Sequence, residues 1–61
     1  MTATHPGEVY FEFIAIGPQV KVTAVDAATG IEVVVFGPVS AATADLERLA
    51  LAKLRARLRA K

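Results

Sequence analysis

The chain has no cysteine and no tryptophan, and its one histidine is His5. Without cysteine there is no disulfide and no thiolate metal site. A single histidine excludes a His-rich metal centre. No apolar run approaches the roughly 20 residues of a membrane span. Met1 to Gly7 is polar and lacks the apolar core of a secretory signal. The default expectation is therefore a cytoplasmic protein with no transmembrane segment. The four glycines fall in turns, without a G-x-x-x-x-G-K or G-x-G-x-x-G phosphate cradle.

With 61 residues, the chain is one domain near the lower limit for independent folding. A domain of this size buries only about 60% of its unfolded surface. Disulfides, metals and partner subunits are the usual remedies, and here the first two are absent. The composition is 54% apolar with a net charge of +1, and the basic residues concentrate in the last quarter. That is much apolar surface for a small monomer to conceal.

Residues 1–7 show no period and are expected to form a flexible N-terminal arm. From 8 to 61 the pattern predicts a single β-β-β-α domain. Glu8 to Ile16 is rich in aromatic and β-branched residues, which suits a strand. Gly17-Pro18 is a turn pair. Gln19 to Val25 alternates as a second strand. Asp26 to Gly30 is a turn in which Asp26 accepts from a backbone N–H two residues on and Gly30 takes the left-handed conformation. Ile31 to Phe36 is the third strand, ended by Gly37-Pro38. Ser40 is the expected N-cap of a helix over 41–61, whose acidic start and basic end suit the helix dipole. The expected fold is α+β: a three-stranded antiparallel meander in the order 1-2-3, with the C-terminal helix packed on one face.

Turn length sets the register. A two-residue loop at Gly17-Pro18 puts Ile16 opposite Gln19, Phe13 opposite Val22 and Phe11 opposite Ala24. A loop over Ala27 to Gly30 puts Ala24 opposite Val33 and Val22 opposite Val35. One face then collects Val9, Phe11, Phe13, Ala15, Val20, Val22, Ala24, Ile31, Val33 and Val35, all apolar. The other face mixes Glu12, Lys21 and Glu32 with Tyr10, Ile14, Val34 and Phe36, where a solvated face should be mostly polar.

At about 100° per residue, Ala42, Leu46, Leu49 and Ala50 form a helical stripe that suits the apolar sheet face. Leu51, Leu54 and Leu58 form a second stripe nearer the C-terminus. Twenty helical residues span about 30 Å and a six- or seven-residue strand roughly 20 Å, so the last two turns are expected to overhang. The predicted self-association residues are Leu51, Leu54 and Leu58, or Ile14, Val34 and Phe36 on the outer sheet face. Scattered apolar side chains shielded by long polar ones are the plain alternative.

No pair of carboxylates is placed for acid–base work. Ser40 has no base to activate it. The chain is expected not to be an enzyme and to need no cofactor. Its predicted role is a small homo-oligomeric, dimer-favoured structural or protein-interaction module, with a different protein as a further possible partner. The alternative is a nucleic-acid-binding module using Arg48, Arg55 and Arg59 against phosphates. Three strands and a C-terminal helix resemble, in topology alone, the sheet-reading DNA-binding domains of plant transcription factors and some integrase arms. Those sheets are rich in Arg and Trp, whereas this outer face has Glu12, Glu32 and one Lys21. Dipole-matched solubilising charge is the commoner source of arginines at a helix end.

Three runs carry a closer resemblance: Tyr10-Phe-Glu-Phe-Ile, Val25-Asp-Ala-Ala-Thr-Gly-Ile-Glu-Val, and the segment from Gly37 through Ser40 and Asp45 to Leu54. They are similar to short uncharacterised alphaproteobacterial proteins that form a domain-of-unknown-function group. The resemblance covers nearly the whole chain and implies no activity or ligand.

Overall fold

The computed structural model describes residues 8–60. Segment 1–7, with His5 and the expected arm, and Lys61 lie outside the described residues. Strands β1 (Val9–Ile16), β2 (Gln19–Asp26) and β3 (Glu32–Pro38) are followed by helix α1 (Thr43–Arg59). The sheet is antiparallel in the order β1-β2-β3. This is the expected α+β meander with a C-terminal helix.

Both hairpins adopt the register that turn length predicts. Ile16 pairs with Gln19, Phe13 with Val22 and Phe11 with Ala24. Val22 pairs with Val35 and Ala24 with Val33. Gly17 has φ 59°, a positive φ at the first central position of a two-residue loop, as a type II′ turn requires. Proline follows it with its fixed negative φ, so the Gly-Pro order sets the hairpin. In the second loop Gly30 has φ 78°, and its amide donates to the Asp26 carbonyl at 2.8 Å. Asp26 is buried, and its Oδ2 accepts from both the amide and the hydroxyl of Thr29, at 2.9 and 2.8 Å. The side chain thus closes the loop three residues on, not two.

The elements differ from expectation at their ends. β3 runs through Gly37-Pro38 rather than stopping before them. An edge position tolerates proline, which costs no ladder bond there. The N-cap is Ala42, in an extended conformation and without a side-chain cap. Ser40 therefore does not cap. It sits in a turn before the helix, where the Ala41 amide donates to the Pro38 carbonyl.

The core joins Val22, Ala24, Val33 and Val35 of the sheet to Leu46, Ala50 and Leu54 of the helix. The helix side of this set is spaced i, i+4, i+8, a straight line of contact. Its rotation differs from the expected stripe. Leu49 and Ala42 are exposed, and Leu54 is fully buried. Leu58 continues the line and packs on the core margin. The predicted overhang is absent: the 17-residue helix is about 26 Å long, and the eight-residue strands are about 27 Å.

Candidate interaction surface

α1 lies across β2 and β3. β1 carries the same alternating pattern as its neighbours, but its inner face extends beyond the helix. Val9 and Phe11 are half-buried, while Phe13 and Ala15 are exposed. The four-residue apolar row expected under the helix is therefore covered only at one end.

Seven large apolar side chains are exposed among the described residues, and four of them, Tyr10, Phe13, Ile14 and Ile16, belong to β1. The strand shows them on both faces, since alternate side chains point to opposite sides. On the outer face no layer of the described chain covers them, and Phe36 adds to the same surface at 55% exposure. Val34 is half-buried there.

On the inner face, the gap between β1 and the helix is a cleft of about 340 Å³ lined by Val9, Phe11, Leu51, Leu54 and Leu58 together with Asp26 and Arg55. It continues toward the N-terminal half of the helix, where Phe11 and Leu51 are joined by Ala44, Glu47 and Arg48. Covering apolar surface of this kind is favourable by roughly 25 cal/mol per Å² removed from water. Among the described residues no group of three His, Asp or Glu side chains could hold a metal.

The expected association residues are thus redistributed. Leu51 and Leu58 line the cleft. Leu54 reaches the cleft wall but is 0% exposed. It belongs to this chain's own core, because the helix is rotated further toward β2 and β3 than the leucine spacing suggested. Ile14 and Phe36 are exposed on the outer face, and Val34 is half-buried there. Phe13, which the register places on the face expected to be covered, is exposed, and it is not among the residues the sequence singles out. The clue would have been its place on an edge strand, beyond the reach of one helix.

Arg48, Arg55 and Arg59 are all exposed and share one flank of α1. Arg48 donates to Asp45 Oδ1 at 2.9 Å, which partly neutralises one end of the row. Lys53 lies on the other flank and donates to the Val34 carbonyl at 2.7 Å. Lys53 therefore stands apart from the row of Arg48, Arg55 and Arg59.

A three-stranded antiparallel meander with one C-terminal helix, which leaves Phe13 and Ala15 exposed on the apolar sheet face, defines a small α+β domain. The chain belongs to the family described as "Domain of unknown function (DUF6898)", whose model matches residues 6–61. No curated protein and no solved structure matches it. No helix among the described residues is long and apolar enough to cross a membrane.

Proposed function

We propose that this chain is a non-catalytic protein-interaction module that associates with copies of itself through the apolar surface that β1 leaves open. The observation that carries this reading is the concentration of exposed apolar side chains on that strand, four of the seven described. Isolated exposed hydrophobics are ordinary. Three of the four, Tyr10, Ile14 and Ile16, lie on the outer face and Phe13 on the inner, so one strand presents apolar surface on both sides of a sheet edge, the kind of surface that partners cover. A small core with no disulfide also gains most from a second subunit.

Sedimentation at high micromolar concentration tests the reading. A mass above the 6.4 kDa of one chain, returning toward it on dilution, is expected. A single 6.4 kDa species throughout that range overturns it.

A further inference from the structure

The two edges of the sheet are unlike. At the β3 edge Lys53 occupies the Val34 carbonyl, and Pro38 has no N–H to offer. A lysine and a proline are standard means of blocking an edge. The β1 edge has neither. Its ladder phase follows from two bonds: the Ala27 amide donates to the Glu8 carbonyl, and the Asp26 amide to the Ile31 carbonyl. Even-numbered residues of β1 therefore face β2. Val9, Phe11, Phe13 and Ala15 turn their N–H and C=O groups outward. These are the residues whose side chains form the open inner row. Backbone and side chains thus ask for the same occupant, an extended strand whose own inner face is apolar.

We infer that two copies of this chain pair their β1 edges antiparallel about a two-fold axis at Phe11, joining two three-stranded sheets into one with both helices on the same face. This rests on the self-association proposed above and specifies its geometry. β1 is complementary to itself in this register. Phe11 faces Phe11 and Val9 faces Phe13 beneath the cleft, while Tyr10 faces Glu12 on the outer face, where its hydroxyl can donate to the carboxylate. Moving the axis to Glu12 would set the two Glu12 carboxylates opposite each other, which is unfavourable. The axis also makes the helices antiparallel. The flank of α1 that borders the cleft has Glu47 and Arg48 in its N-terminal half, with Arg48 held by Asp45 at 2.9 Å so that Glu47 keeps that half acidic, and Arg55 in its C-terminal half. Across the joined cleft, Glu47 of each copy therefore faces the Arg55 half of the other, opposite charge to opposite charge.

Amide exchange resolved by residue, measured across the monomer–dimer range, tests the geometry. The amides of Val9, Phe11 and Phe13 are expected to exchange about tenfold more slowly, or slower still, in the associated form. An associated chain in which those amides exchange as freely as on dilution overturns the edge pairing and leaves self-association standing. A chain that stays monomeric overturns both. Phe13→Pro and Phe13→Ala supply a second test, because both remove the ring but only proline removes the outward N–H. Phe13→Pro is expected to weaken association at least tenfold beyond Phe13→Ala, with each variant's fold checked by circular dichroism. Equal weakening by two folded variants overturns the proposal, and if proline unfolds the chain the exchange measurement decides.

Discussion

Gly37 is held by space rather than by backbone conformation. A β-carbon there would overlap the Leu46 Cδ2 methyl, and Leu46 is buried against the sheet. The helix approaches β3 closely because that residue has no side chain. Gly37→Ala is expected to destabilise the fold by about 1–3 kcal/mol, the usual cost of overpacking a core, read as a lower urea midpoint with an unchanged slope. A midpoint equal to that of the parent would mean that Leu46 can move aside freely. This constraint could not be read along the chain, where Gly37-Pro38 resembles a plain strand terminator. Asp26 was more legible. A residue that accepts from the backbone within its own loop leaves a local signature in the run from Asp26 to Gly30.

At the scale of elements, the strands were legible and the helix rotation was not. A hairpin register has two outcomes per residue of slip, and one of them puts Lys21 or Glu12 into the core. Polarity alone decides between them. A helix can turn continuously, and α1 has apolar residues at Leu46, Leu49, Ala50, Leu51, Leu54 and Leu58, more than one face can hold. The rotation is settled by the fit between Leu46 and Gly37 and by Lys53 reaching Val34, both long-range. Two truncations separate the rotations. Leu54→Ala is expected to cost about 2–5 kcal/mol as a buried leucine. Leu49→Ala, at 54% exposure, is expected to stay within about 0.5 kcal/mol. The reverse order in chemical denaturation would restore the Ala42–Leu46–Leu49–Ala50 stripe. The helix start offers a third check. Ala42 already has the extended N-cap conformation, φ −67° and ψ 136°, but no side-chain acceptor. Ala42→Asp is expected to add about 1 kcal/mol by bonding a free first-turn amide. No gain in the denaturation midpoint would place the cap elsewhere, with Ser40 the next residue to test.

For the whole molecule, the number of strands exceeds what one helix can cover. Neighbouring strands lie about 4.8 Å apart and a helix with its side chains is about 10 Å across. One helix therefore shields two strands fully, and here these are β2 and β3. The third strand had to remain partly open whatever its sequence. A chain built to stay alone would be expected to make that strand polar, yet β1 reads Val-Tyr-Phe-Glu-Phe-Ile-Ala-Ile. The sequence pattern shows the surplus of apolar surface and places it on an overhanging helix end or on Ile14, Val34 and Phe36 of the outer sheet face; Ile14 and Phe36 are exposed, whereas the helix is too short to overhang the strands. If the surplus is covered by a second copy, folding and association are linked, and stability depends on protein concentration. For an obligate two-chain fold, each tenfold rise in concentration adds about 1.4 kcal/mol per dimer. Spread over the unfolding entropy of two such chains, that raises Tm by about 5 °C. Thermal unfolding followed by circular dichroism from ten micromolar to one millimolar is thus expected to shift upward by roughly twice that amount. A Tm constant to within a degree over that range would show that the open face of β1 adds nothing to the stability of the fold.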